Sequence, residues 1–246
     1  MNKITRETKE SFDSWAESYD GGILIPLLFR RIQKKIVKIT GDYENKNILD
    51  VGCGTGNLIM MMHDRNKNNK FTGVDISEKM IDIARDKTRG CENIEFIVGK
   101  TGSLPFRRNS FDYVTSSVSF HHWPEHEEAL KEIYEMIKPS GKLLIADLTI
   151  PLFGGKGTNA VVSSKEMSRM MSNVGLGNIQ KFSPSNHGKY GLASAILGIP
   201  MALYGISMGN TACSLTAAAM IAGGIVYSIP DWTSQITVGE KISIER

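Results

Sequence analysis

The chain has 246 residues, 41% of them hydrophobic and 22% charged. Those proportions suit a globular protein with a sizeable core, and the length allows one substantial domain plus an extension. A net charge of +3 is too small to argue for nucleic acid, which takes a concentrated basic patch.

Residues 1–42 read as a helical lid. Met1-Asn2-Lys3-Ile4-Thr5-Arg6-Glu7 is polar and lacks the apolar run of a secretory signal, so a cytoplasmic location is expected. Phe12, Trp15 and Tyr19 recur at helical spacing. A second helix is expected from Ile25 to Ile39, where Arg30, Arg31, Lys34, Lys35 and Lys38 alternate with Ile32, Ile36 and Val37. Its basic side reads as a solvated helix face, with a membrane surface or an acidic partner as the competing use.

Residues 43–199 alternate short apolar runs with helical segments. Strands are expected at Asn47 to Val51, Lys70 to Asp75, Ile94 to Val98, Phe111 to Ser116, Lys142 to Asp147 and near Asn178 to Phe182. Helices are expected at Asn57 to His63, from the cap Ser77 to about Arg85, at Glu127 to Ile137 and at Ser164 to Met171. Such alternation implies an α/β fold, a mostly parallel sheet with helices on both faces. Cys53, Cys91 and Cys213 form no CxxC pair, so neither a zinc site nor a disulfide framework is suggested.

From Tyr190 to Pro230 there is no Asp, Glu, Lys, Arg or His. Gly191 to Ile199 can be read as the last strand of the sheet, leaving residues 200–246 as an apolar extension. Gly191 to Met208 and Ala212 to Ile229 can equally be read as two short membrane-crossing helices, each near the lower length limit for a span. Lys181 and Lys189 would then be a cytoplasmic flank. A buried helix pair, a lid or a self-association contact is the soluble alternative.

The chemistry concentrates in Asp50-Val51-Gly52-Cys53-Gly54-Thr55-Gly56-Asn57, between a strand and a helix. Glycines let the backbone turn sharply and let a ligand approach closely. A dinucleotide fingerprint needs Gly-x-Gly-x-x-Gly, and Asn57 directly after Gly56 breaks that spacing, which disfavours a nicotinamide-dependent oxidoreductase. Asp75 ends the second strand, where a carboxylate can accept hydrogen bonds from both ribose hydroxyls, and Ser77 is available to cap the next helix.

Ile48-Leu49-Asp50-Val51-Gly52-Cys53-Gly54-Thr55-Gly56 resembles motif I of class I S-adenosylmethionine-dependent methyltransferases. Phe12-Asp13-Ser14-Trp15-Ala16-Glu17-Ser18-Tyr19-Asp20, Gly73-Val74-Asp75-Ile76-Ser77, Ser103-Leu104-Pro105-Phe106, Phe120-His121-His122-Trp123 and Ile137-Lys138-Pro139-Ser140-Gly141 resemble the quinone-biosynthesis and small-molecule branch. The resemblance covers about Phe12 to Phe182 and implies a Rossmann-like seven-stranded domain that binds S-adenosyl-L-methionine. It implies that the Gly52, Cys53, Gly54 and Gly56 turn holds the methionine moiety, with Asp50 near its ammonium, and that Asp75 binds ribose. Ile76, Met80 and Leu104 would flank adenine, Ser117 would face the methionine end, and Tyr19 would close over the site. The family commonly has an acidic residue after the third strand for the adenine amino group. Lys100 stands there and cannot accept a hydrogen bond; Thr101 or a backbone carbonyl is the substitute.

A sulfonium methyl is already electrophilic, so positioning and water exclusion supply much of the catalysis. His121 or His122, at the carboxyl edge of the sheet, is the candidate general base, with packing beside Trp123 as the competing role. The acceptor is expected to be a small molecule, lipophilic if the uncharged segment meets a membrane. No Asn-Pro-Pro-Tyr motif for base amines follows the fourth strand, which argues against nucleic acid. A non-catalytic scaffold that keeps the fold to bind cofactor or partner is the alternative.

Overall fold

In the computed structural model, residues 3–21, 24–40, 43–148, 162–183 and 234–242 are described. Two helices, α1 (Lys3–Tyr19) and α2 (Leu24–Thr40), precede the first strand, β1 (Asn47–Val51). Then follow α3 (Asn57–Arg65), β2 (Lys70–Asp75), α4 (Glu78–Lys87), β3 (Ile94–Val98), β4 (Phe111–Ser117), a 3₁₀ turn (Phe120–His122), α5 (His126–Met136), β5 (Ile137–Leu148), α6 (Ser164–Asn173), β6 (Leu176–Phe182) and β7 (Ser234–Lys241).

The helices start where side chains can satisfy their first free N–H groups. Ser77 Oγ accepts from Met80 N at 3.2 Å to open α4, as expected, and Ser163 Oγ accepts from Glu166 N at 3.2 Å to open α6.

The seven strands form one sheet in the order β3-β2-β1-β4-β5-β7-β6. β1 pairs in parallel with β2 and β4, β2 with β3, and β4 with β5; β7 runs antiparallel to both its neighbours. The strand order reverses between β1 and β4, so their carboxyl ends open a crevice suited to a ligand. Alternate residues of β1 serve opposite faces: Leu49 and Val51 enter a core with α5 and α6, while Ile48 enters a second core with α2 and α3. Each is almost fully removed from water, worth roughly 1.5–3 kcal/mol per side chain.

One expectation about the sheet is corrected. The seventh strand is Ser234–Lys241, so the sheet does not end by residue 199, and residues 200–246 are not wholly an extension. Ile236 and Val238 pack under α2, and Lys241 Nζ donates to the carbonyls of Tyr134 and Ile137 at 3.1 and 2.9 Å, where α5 ends. The stretch Gly191 to Ile199, the paired spans Gly191 to Met208 and Ala212 to Ile229, and Cys213 lie outside the described residues. Among the described residues, no helix is long and apolar enough to cross a membrane.

Candidate active site

The turn after β1 is built by hydrogen bonds to β2: Gly52 N and Cys53 N both donate to Val74 O, at 2.8 and 3.0 Å. Gly52 has φ +72°, and a Cβ there would fall 1.8 Å from Ser119 Oγ; both backbone and space demand glycine. Gly56 also has a positive φ, but its missing Cβ makes room for Phe96 and Ala84. It packs helix against strand and does not line the cavity described below, contrary to its expected part in holding cofactor.

Asp75 turns toward the glycine bend. Its Oδ2 accepts from Gly54 N at 2.8 Å and its Oδ1 from Ser77 N at 2.9 Å. An ionised carboxylate offers about four acceptor positions, so these two bonds do not exhaust its capacity. Burial raises its pKa, only partly offset by the N–H groups of Ser77, Gly54 and Ile76. Asp50, at 1% exposure, accepts from Thr115 Oγ1 at 2.8 Å. Burial pushes its carboxyl up to about 7; the Thr115 bond opposes the rise and the Asp75 charge adds to it. A carboxyl in that state gains from a nearby cation.

Between these groups lies a cavity of about 930 Å³, its open mouth included. It is lined by Tyr19, Asp50, Gly52, Cys53, Gly54, Asp75, Ile76, Met80, Lys100, Thr101, Ser117 and His122, together with residues that sequence reasoning did not place there, notably Phe12, Val118, Ser119, Trp123 and Pro124. Leu104 is not part of the lining. Glu132 on α5 accepts from Gly102 N and Leu104 N at 2.6 and 2.8 Å, and the Leu104 side chain packs in the α5 core.

The two histidines part company. His122 lines the cavity, edge-on to Phe12 with ring centroids 5.0 Å apart. His121 is buried outside the lining, gripped by Asp147 at the end of β5: its backbone N and its Nδ1 each lie 2.7 Å from a carboxylate oxygen. Of the two histidines expected there, only His122 lines the cavity.

α1 lies over the cavity, contributing Thr8, Phe12 and Tyr19. Ser77 Oγ donates to Asp13 Oδ1 at 2.6 Å. Asp20 accepts from Thr55 Oγ1 at 3.1 Å, Asn57 Nδ2 at 2.8 Å and Lys87 Nζ at 2.6 Å. Burial alone would raise the Asp20 pKa, but Lys87, Asn57 and Thr55 together hold it below the ordinary value. Burial raises the Tyr19 hydroxyl well above its usual pKa, and the Asp75 and Asp20 charges add to the rise. These partners are 35 to 67 residues apart for Asp20, and no sequence spacing announces them.

The residues present fit an amino-acid-bearing nucleoside with positive charge. Asp75 keeps acceptor capacity, Gly52 leaves a side-chain-free approach, and Ser117 Oγ is enclosed at the cavity wall with no hydrogen bond among the described residues. Comparison with known proteins agrees. Residues 49–145 match the methyltransferase domain family. The chain is 34% identical to the demethylmenaquinone methyltransferase of Listeria welshimeri over 159 residues, 61% of this chain and 67% of the relative. It belongs to the class I S-adenosylmethionine-dependent methyltransferases.

Solved structures repeat the methyltransferase fold. Phosphoethanolamine N-methyltransferase 2 of Haemonchus contortus, in complex with phosphomonomethylethanolamine and S-adenosylhomocysteine, matches with a TM-score of 0.68 at 16% identity, over 99% of this chain and 61% of that one. A SAM-dependent methyltransferase from Aquifex aeolicus matches with a TM-score of 0.62 at 18% identity, over 94% and 98% of the respective chains. This methyltransferase is therefore an enzyme whose cofactor is S-adenosylmethionine.

Proposed function

We propose that the enzyme methylates a small, largely apolar acceptor, of the class represented by demethylmenaquinone, in the cavity under α1. The supporting observation is the lining itself: beside Asp75 and the Gly52–Gly54 turn it includes the apolar Phe12, Val118, Trp123 and Pro124, with His122, Ser119, Thr8 and Gln33 as polar neighbours.

In this reading Asp75 holds the two sugar hydroxyls, the Gly52–Gly54 backbone and Ser117 take the amino-acid tail, and Asp50 pairs with its ammonium. Ile76 and Met80 pack against the base, with Lys100 and Thr101 beside it. When bound, S-adenosylmethionine supplies a methyl group made electrophilic by its sulfonium. The protein orients the acceptor and excludes water; orientation alone is worth up to roughly 7–11 kcal/mol of the barrier in the best cases. α1 acts as the lid, and His122 accepts the proton of an acceptor that arrives protonated. The uncharged stretch Tyr190 to Pro230 suits contact with an apolar phase or a second copy, and the site works on the cytoplasmic side.

The test uses methyl-labelled S-adenosylmethionine and the full chain with a panel holding demethylmenaquinone, simpler aromatic diols and phosphoethanolamine. Label is expected in the apolar ring compounds. Label in phosphoethanolamine alone would overturn the reading.

A further inference from the structure

The chain between β4 and α5 carries much of the cavity wall and is held from behind. Ser117, Val118, Ser119, His122, Trp123 and Pro124 line the cavity; Phe120 and His121 do not, and both are buried. Phe120 anchors the segment in the apolar core that includes Leu130 and Ile133. His121 anchors it through polar contacts instead. Asp147 Oδ2 accepts from His121 N and Asp147 Oδ1 meets His121 Nδ1, each at 2.7 Å. A carboxylate only accepts, so Nδ1 carries the proton, and a flipped ring would lose the bond.

The turn in front of this anchor is strained. Val118 has φ +55°, a left-handed backbone that a β-branched side chain disfavours. Val118 N donates to Ala146 O at 2.7 Å, so consecutive residues of β5, Ala146 and Asp147, hold both ends of the turn. Such strain persists where the surroundings over-determine it, and it collects at functional sites. An acid–base pair is also a poor choice for packing alone. His121 and Asp147 are 6% and 7% exposed, and apolar residues of similar volume often fill a buried site as well or better. What the polar pair adds is direction. The His121 ring lies against that of His122 with centroids 4.0 Å apart, and His122 stands edge-on to Phe12 of α1 at 5.0 Å.

We infer that Asp147, acting through His121, is a positioning residue that holds His122 in place at the cavity wall for the methyl-transfer step. Its effect on turnover rests on the proposed role of His122 as proton acceptor; the positioning does not. Asp147 and His121 act at one remove, since neither lines the cavity. Without the carboxylate the turn relaxes its Val118 backbone, and the His122 ring leaves its place beside Phe12. A misplacement of about 1 Å at reacting groups costs roughly a hundredfold in rate. Asp75 and Asp50 make their bonds to Gly54, Ser77 and Thr115, outside the turn, so cofactor binding is expected to survive.

The experiment is histidine NMR of the full chain, which has only five histidines to assign, with turnover and calorimetry on Asp147→Asn and Asp147→Ala. In the wild type a nuclear Overhauser contact is expected between the His122 and Phe12 rings. It should weaken in Asp147→Asn, which keeps one accepting oxygen, and vanish in Asp147→Ala. Turnover of demethylmenaquinone in detergent should fall roughly a hundredfold in Asp147→Ala and less in Asp147→Asn. Both should bind S-adenosylhomocysteine within a few-fold of wild type, which also shows that they are folded; if Asp147→Ala does not fold, Asp147→Asn decides. In a His122→Ala background, Asp147→Asn should cost no further turnover. An intact ring contact in the folded variants would overturn the positioning, and so would losses from Asp147→Asn and His122→Ala that multiply. A lost contact alongside wild-type turnover of His122→Ala would count against the proton-acceptor role alone. A lost contact with no turnover of any apolar acceptor would count against the acceptor class alone.

Discussion

Replacing Asp50 by Asn separates two consequences of burying a carboxyl under the glycine turn. Asn keeps an oxygen to accept from Thr115 Oγ1 but cannot ionise. In the folded, ligand-free protein the Asp50 pKa is about 7, against 3.8 for the free group. Between those values the unfolded chain has lost the proton and the folded chain retains it, so stability from this group is full below pH 3.8 and declines as pH rises through 7. Three pKa units at 1.36 kcal/mol each give about 4 kcal/mol as an upper bound. The ligand-free Asp50→Asn protein should therefore be more stable than wild type at pH 8, by on the order of 10 °C in Tm at most, and equal to it near pH 4. Binding should move the other way: losing a charge-assisted hydrogen bond of about 1.5–3 kcal/mol weakens S-adenosylmethionine by roughly ten- to a hundredfold. Thermal melts from pH 4 to 8 and calorimetry at pH 8 read both. Identical pH slopes in wild type and variant would refute the reasoning, since the slope is the signature of a buried carboxyl forced to ionise.

Four further outcomes follow from the geometry. Gly52→Ala places a methyl group 1.8 Å from Ser119 Oγ at φ +72°; with an αL cost alone of about 1–2 kcal/mol, calorimetry should find at least a tenfold loss of cofactor affinity, and unchanged affinity would show that the turn yields. Asp20→Asn leaves Lys87 without its counter-charge. Because that pair is partly exposed, its stability effect stays within about 1 kcal/mol, while stopped-flow should show cofactor leaving several-fold faster; an unchanged off-rate would deny α1 a closing role. His122→Ala should lower kcat by roughly 10²- to 10⁴-fold for an acceptor bound in its protonated form with cofactor affinity intact. His121→Ala should instead destabilise the fold by about 1–3 kcal/mol, because buried Asp147 loses the imidazole contact and keeps the backbone N–H of residue 121. Wild-type turnover in the first variant, or wild-type melting in the second, would reverse these assignments.

The sequence exposes what depends on local pattern. Glycines at the β1 turn, Asp75 at a strand end and the cap Ser77 are each tied to backbone geometry a few residues away, and the cavity gathers the turn and Asp75 on one side. Leu104 and Gly56 went elsewhere because packing, not motif membership, decides where a side chain points: Glu132 draws the loop onto α5, and Phe96 fills the space beside Gly56. β7 carried a signal in the alternation of Ile236 and Val238, but no local rule says that a strand some fifty residues beyond β6 will insert between β6 and β5. The Asp20 and Asp147 partnerships are likewise products of the fold alone, since each joins groups distant along the chain.

Charge balance makes the cavity suited to a cationic ligand, despite Lys100. Its lining includes two carboxylates, Asp50 and Asp75, and one ammonium, Lys100. The carboxylates are at 1% and 9% exposure, where water screens them little; Lys100 is only partly buried, and its charge is weakened by solvent. The buried pair therefore dominates the field, and each carboxylate pushes up the pKa of Asp50 or of its neighbours until a cation arrives. S-adenosylmethionine brings one more positive charge than S-adenosylhomocysteine. The same desolvation that costs the empty fold stability at neutral pH is relieved when a cation comes to lie beside Asp50.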